Sequence, residues 1–183
     1  MILLTGFGPY GKYKENISYN IVKNYEINES KMEITKVILP VSWKLGIKTY
    51  KNVLNTLPKV PNFVILLGIH SNKYYHFEYI SWNFVCGKDI HNQIKFGVIK
   101  PNLNFCWKTT INVKKLYSLL KKEINIKLSY NAGTYLCNYI YYWALLLSNK
   151  KYPVLFIHIP KDEILNRGIE NIRKIIRTMA MIL

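Results

Sequence analysis

Residues 126–160 read IKLSYNAGTYLCNYIYYWALLLSNKKYPVLFIHIP, and this stretch decides the fold. Ile126–Leu128 is a short strand candidate, and Asn131-Ala132-Gly133-Thr134 is a turn that supplies a good N-cap residue. An apolar helix then runs from Tyr135 to about Leu147, and Tyr152–Ile159 is an apolar strand stopped by Pro160. The same alternation continues on both sides. Toward the N-terminus it gives strand Ile2–Thr5, helix Ser18–Tyr25, strand Ile34–Val41, helix Trp43–Leu57 and a buried strand Phe63–Gly68 bounded by Pro61 and Gly68. Toward the C-terminus, Glu163–Met181 is a closing helix with Ile164, Ile172, Ile175 and Ile176 on its apolar side. Between these lie an alternating stretch, Tyr75–Val85, read as strand or hairpin, and the Gly87–Asn104 region, with Gly97 and Pro101, read as loop or short strands. Val113–Glu123, with Leu116, Leu119 and Leu120 opposite its lysines, reads as a surface helix. Strands alternating with helices build a largely parallel sheet covered on both faces. The expected fold is therefore α/β, a single-domain three-layer α/β/α sandwich over residues 1–183 with a mainly parallel twisted sheet.

The 183 residues, half of them apolar, suffice for one sizeable core. Met1-Ile2-Leu3-Leu4-Thr5 lacks a basic flank and runs at once into Gly6, Gly8 and Pro9, so it reads as a strand and not a signal peptide. The densest apolar run, Tyr139–Leu147, is far shorter than the roughly 20 residues of a membrane span. A soluble, cytoplasmic protein with no membrane partner is expected. Cys86, Cys106 and Cys137 are an odd set without a C-x-x-C pair, which argues against a disulfide framework and a zinc site. The formal charge of +16 raises nucleic acid as a partner. Against it, arginine occurs only at Arg167, Arg173 and Arg177, and the lysines are scattered from Lys12 to Lys174. Nucleic-acid readers favour the guanidinium fork. Lys, Asn, Ile and Tyr are abundant together, as an AT-rich coding sequence would make them, so the charge is weak evidence of function.

Three residues could carry chemistry. Cys137 stands three residues beyond Thr134, near a helix start, where unsatisfied backbone N–H groups and the helix dipole lower a thiol pKa. Taken alone it reads more readily as a small buried residue on an apolar helix. His158 ends the strand Val154-Leu155-Phe156-Ile157, where polar residues of α/β folds gather around the ligand crevice; a satisfied core histidine is the alternative. Glu78 lies within Tyr75–Val85, where a buried carboxylate would need a partner such as His158, or else occupies the exposed position of a half-buried strand. Thr5-Gly6-Phe7-Gly8-Pro9-Tyr10-Gly11 follows a strand, and its glycines permit a tight turn that holds Phe7 and Tyr10 at the strand end. It is not a P-loop, since Lys12 is followed by Tyr13.

Four segments together resemble the pyroglutamyl-peptidase I (pyrrolidone-carboxylate peptidase) family of cysteine peptidases. They are Leu4–Gly11 with Asn16 and Ser18, Leu39-Pro40-Val41, Asn131–Asn138, and Phe156-Ile157-His158-Ile159-Pro160. They follow the family's order at nearly its spacing over roughly residues 1–160, and the cysteine segment is the most specific of them. The family's Glu-x-x-Ala-x-Asn segment is matched by Glu78 and Asn83, with Ser81 in the alanine position. The resemblance implies a Cys137–His158–Glu78 triad that removes N-terminal pyroglutamyl residues from peptides through a thioester, with no cofactor and no metal. It also implies a pocket for the flat lactam lined by Phe7, Tyr10, Tyr135 and Leu136, with Asn16 holding the loop or the lactam. A dimer or tetramer is implied as well. Where the family has a Gln-Ala-Gly-Gly-Arg-like segment, this chain has Ile69-His70-Ser71-Asn72-Lys73, so only the backbone of Ile69 would meet the lactam. Lys88 stands in place of an arginine near the active centre, and the region between His158 and the last helix is cut to Lys161–Glu163. These departures leave a second reading, a degenerate homologue that keeps the fold but binds or processes another blocked N-terminus, or serves as a non-catalytic binding module.

Overall fold

The computed structural model describes residues 1–10, 15–26 and 32–183. Gly11, at the end of the glycine-rich loop, and Lys12 and Tyr13, on which the P-loop exclusion rests, lie outside them. In chain order the elements are β1 (Ile2–Phe7), α1 (Ile17–Asn24), β2 (Ile34–Leu39), α2 (Trp43–Thr56), β3 (Phe63–His70), β4 (Tyr75–Glu78), β5 (Ile80–Trp82) and β6 (Val85–Lys88). There follow β7 (Ile94–Gly97), β8 (Cys106–Lys108), α3 (Val113–Leu120), β9 (Ile126–Ser129), α4 (Leu136–Ser148), β10 (Val154–Pro160) and α5 (Leu165–Ile182). Six strands form the main sheet in the order β2-β1-β3-β10-β4-β9. The first four are mutually parallel, β4 runs antiparallel to β10, and β9 follows β4.

Side chains alternate across a strand, so the sheet sorts its residues into two faces. Ile2 and Leu4 of β1, Ile65 and Leu67 of β3, Leu155, Ile157 and Ile159 of β10, and Tyr75 and Phe77 of β4 face one way. They pack against Ile21 and Val22 of α1, Leu116 and Leu120 of α3, and Ile172, Ile175 and Ile176 of α5. Leu3, Val64, Leu66, Val154 and Phe156 face the other way, against Trp43 and Tyr50 of α2 and Ile140, Tyr141 and Ala144 of α4. The result is a mainly parallel sheet between two helical layers, as the element pattern led us to expect. Phe156 is fully buried in the second face, and burying a phenylalanine there is worth roughly 3–5 kcal/mol against truncation to alanine.

The alternating stretch 75–85, read as strand or hairpin, is β4, β5 and the start of β6. Only β4 joins the main sheet, while β5 pairs with β8 and β6 with β7. Asn83 makes the break possible: its amide donates to the Lys100 carbonyl and its Oδ1 accepts from the Lys100 N–H, both at 2.9 Å, so a side chain replaces ladder bonds between strands. Residues 87–104, read as loop or short strands, supply the β7 half of a hairpin.

Candidate active site

Parity decides which residues meet at the end of the sheet. Gly68 and His70 of β3 share the face of Leu66; His158 of β10 shares that of Phe156; His76 and Glu78 of β4 lie opposite Phe77. In register, His158 sits beside Gly68 on one side and His76 on the other. All five therefore point to the layer of α4, whose first turn carries Cys137.

α4 begins one residue later than the turn suggests. Its N-cap is Tyr135, which makes no side-chain cap hydrogen bond, and the expected cap, Thr134, instead uses its carbonyl to accept from the Cys86 N–H at 2.8 Å. β6 thereby holds the chain extended until Tyr135. The Tyr135 hydroxyl donates to the Lys88 carbonyl at 2.9 Å, and its ring meets Trp43 edge to face. Asn138 locks the next position, its Oδ1 accepting from the Trp82 N–H and its amide donating to the carbonyls of Trp82 and Phe84, at 2.8–2.9 Å. A helix leaves its first N–H groups without intrahelical acceptors. Among the described residues no side chain caps them, and Cys137 lies among them.

Gly68 sets how closely the sulfur approaches the sheet. A Cβ at this position would stand 2.9 Å from Cys137 Sγ and 2.7 Å from the Phe156 ring, so no larger residue fits without displacing one of them. His158 Nδ1–H donates to Glu78 Oε1 at 2.7 Å. With Nδ1 committed, Nε2 is the ring nitrogen left for the Cys137 sulfur, which is engaged with the imidazole through a hydrogen bond and through charge. Burial by itself would push the His158 pKa down, but the Cys137 sulfur and the Glu78 carboxylate together pull it up to about 10. The protonated imidazole, beside the Cys137 sulfur and the Glu78 carboxyl group, is the form of His158 this favours. Glu78 is fully buried, which removes the exposed-strand reading of that residue.

The cavity over this constellation measures about 360 Å³. Phe7, Tyr10, Asn16, Ile69, Tyr135 and Leu136 line it, with Cys137, His158 and Glu78. Asn16 is buried and committed to the loop: it caps α1, its Oδ1 accepting from the Ser18 N–H at 3.0 Å, and its amide donates to the Gly8 carbonyl at 3.1 Å. Lys88 does not line the cavity. On β6, Val85 and Gly87 face inward, where Gly87 lies so close to the Tyr135 ring that a Cβ would approach it to 2.6 Å. The alternation then turns Lys88 outward, and only its carbonyl takes part.

The sequence reading passed over two histidines in this cavity. The His70 ring stacks on His158 with centroids 5.3 Å apart and planes at 25°, and His76 meets His70 edge to face at 4.3 Å. Spacing of two from Gly68 and from Glu78 puts them on the reactive face, a signal that becomes useful only once those residues are assigned. Burial foremost pushes the His70 pKa down to about 4 and lowers that of His76. Among the described residues no group of three or more His, Cys, Asp or Glu is arranged to hold a metal ion, and no helix is long and apolar enough to cross a membrane.

The chain matches the family model described as pyroglutamyl peptidase over residues 1–179. It is 28% identical over 176 residues to the pyrrolidone-carboxylate peptidase of Thermosipho africanus, covering 91% of this chain and 85% of that protein. It is 33% identical over 172 residues to that of Coprothermobacter proteolyticus, covering 87% and 80%. Among solved structures, the pyrrolidone carboxyl peptidase of Fervidobacterium islandicum is similar with a TM-score of 0.84 and 28% identity, covering 98% of this chain and 95% of that one. A mutant of the Pyrococcus furiosus pyrrolidone carboxyl peptidase, at 23% identity and a TM-score of 0.91 over 100% and 99% of the two chains, shares the fold. The chain belongs to the pyroglutamyl peptidase family of cysteine peptidases.

Proposed function

We propose that Cys137, His158 and Glu78 form a catalytic triad that removes N-terminal pyroglutamyl residues from peptides through a thioester. The observation that carries this reading is the 2.7 Å bond from His158 Nδ1 to the buried carboxylate of Glu78, with the Cys137 sulfur engaged by the same ring. Glu78 fixes the tautomer and stabilises the imidazolium. The Cys137 thiolate attacks the carbonyl carbon that joins the pyroglutamyl ring to the next residue, and the developing oxyanion meets the free N–H of Cys137 at the uncapped helix start. His158 then gives its proton to the leaving amine as the C–N bond breaks. In the second half, His158 takes a proton from water, hydroxide attacks the thioester, and the thiolate leaves with pyroglutamic acid released.

Phe7, Tyr10, Tyr135 and Leu136 supply apolar walls suited to the flat lactam, and Ile69 offers only its backbone polar groups for hydrogen bonding. Three free thiols suit a reducing cytoplasm. Exposed Ile94, Phe96 and Phe105 around the β6–β7 hairpin support a homo-oligomer, which light scattering would test.

The test of the chemistry is release of a fluorogenic amine from pyroglutamyl, prolyl and glutamyl conjugates. Cleavage of the pyroglutamyl conjugate alone, falling by about 10⁴-fold or more in Cys137→Ser, is expected. Folded wild-type protein that cleaves none of the three would overturn the peptidase reading, leaving the fold without the chemistry.

A further inference from the structure

The strand end Ile69-His70 and the residue His76 belong to no segment through which the chain resembles its family, yet they complete the wall behind the reacting pair. His70 is the last residue of β3, and its backbone is pinned where its carbonyl accepts from the Lys161 N–H at 2.9 Å. Its ring is fixed too. Nε2–H donates to the Tyr74 carbonyl at 2.8 Å, which makes Nδ1 the acceptor for the Asn72 amide at 3.4 Å. One tautomer satisfies both bonds. The ring thus held lies nearly parallel to His158 at 5.3 Å, within the range of offset stacking, while His76 closes its other approach edge to face.

We infer that His70 is a positioning residue for the thiol–imidazole pair: its ring stacks on His158 and keeps the Nε2 edge of that ring aimed at Cys137. The inference rests on the triad reading above.

The groups that face the two rings make the stack favourable. His158 is approached by Cys137 from α4, Glu78 and His76 from β4, and His70 from β3; Lys127 of β9 and Glu78 act on His76. Among these the imidazolium belongs on His158, because burial first, and the neighbouring His158 and His76 after it, hold His70 uncharged down to about pH 4, despite the Tyr74 carbonyl and Glu78. A neutral aromatic face against a cationic ring is attractive, whereas two cations would repel. The Glu78 bond fixes only one point of the His158 ring. A planar neighbour restrains rotation about that point, and a small rotation would carry Nε2 out of line with sulfur.

The experiment compares full-length wild type with His70→Phe, His70→Leu and His70→Ala. Phe keeps an aromatic face, Leu fills the space without one, and Ala empties it. The first readout is alkylation of Cys137 by iodoacetamide at pH 6, followed by peptide mass mapping with Cys86 and Cys106 as internal references and melting temperature as a check on folding. Leu and Ala are expected to slow Cys137 alkylation by about 10-fold, the size of a buried cation–aromatic contact, with Phe staying within about 3-fold of wild type. kcat on a pyroglutamyl amide should follow the same order with KM little changed. Leu alkylating as fast as wild type would overturn the inference, and so would Phe as slow as Leu, which would assign the effect to the Tyr74 and Asn72 hydrogen bonds. Because alkylation needs no peptide, it decides the role of His70 even if the wild type cleaves no pyroglutamyl amide.

Discussion

The two faces of the central sheet are made by the same strands and do opposite things. Toward α1, α3 and α5, strand β10 presents Leu155, Ile157 and Ile159, and β4 presents Tyr75 and Phe77. Toward α4 the same strands present Phe156 and His158, and His76 and Glu78, beside Gly68 and His70 of β3. One face is almost all hydrocarbon, its Tyr75 hydroxyl paired with Glu163, and carries stability; the other interrupts its hydrocarbon at the strand ends with a glycine, a buried carboxylate and three imidazoles. The separation is a matter of one residue in register. A shift of β4 by one position relative to β10 would exchange Glu78 for Phe77 and bury a carboxylate among isoleucines, so the apolar face enforces the register on which the polar face depends.

Substitutions on the two faces should therefore separate activity from stability. The largest effect expected is on the reactive face: Glu78→Gln preserves the shape but removes the charge that stabilises imidazolium, and kcat should fall by about 10³-fold, with the alkaline limb of the pH–rate profile moving to lower pH. Retention of full activity would show that the carboxylate is structural. Ile157→Ala, one residue from His158 but on the opposite face, should cost about 2–5 kcal/mol in urea denaturation while kcat of the folded fraction stays near wild type. A parallel loss of kcat would mean that the faces are coupled through the strand.

The pH dependence of stability sharpens the comparison further, because two stacked residues of the reactive face oppose each other. His158, raised from 6.5 to about 10, contributes stability that is fully present below pH 6.5 and is lost as pH rises toward 10. His70, lowered to about 4, contributes in the other sense: its share is present above pH 6.5 and disappears as pH falls through 4. Urea midpoints measured from pH 4 to 10 should decline on both sides, with the alkaline decline weakened in His158→Asn and the acid decline in His70→Phe. The smallest effect is expected at Lys88, whose side chain points away from the cavity; Lys88→Ala should change kcat/KM by less than about twofold, the size of an exposed charge acting at a distance.

The sequence was most informative where a long periodic segment or a specific motif was present. β3, β10, α4 and α5 are all read within a few residues of their bounds, the first three from long apolar runs bounded by turn residues and α5 from its helix-period apolar stripe. Cys137, His158 and Glu78 were proposed by motif, and the structure brings the three side chains together at one end of the sheet. The region from Tyr75 to Lys108 was less legible. Its alternation is that of a strand, but β4, β5 and β6 join three different sheets, and the cause lies in the bonds of Asn83 to Lys100, a pairing that local pattern does not encode. Lys88 was placed by analogy with an arginine, whereas its direction is fixed by the fit of Gly87 against Tyr135. His70 and His76 escaped for a related reason: their meaning depends on which strands lie side by side, and β3, β4 and β10 become neighbours only in the folded sheet.

The uncapped start of α4 carries a consequence for engineering. Supplying an Asp or Ser side chain at an N-cap is a standard route to a more stable protein and commonly gains about 1 kcal/mol. At Tyr135 that route would place an oxygen over the same N–H groups proposed to receive the substrate's developing negative charge. A variant such as Tyr135→Asp would then be a protein inhibited by its own side chain, and it would also give up the hydroxyl bond to the Lys88 carbonyl and the ring contact with Trp43. This position should be held fixed in any thermostabilisation library.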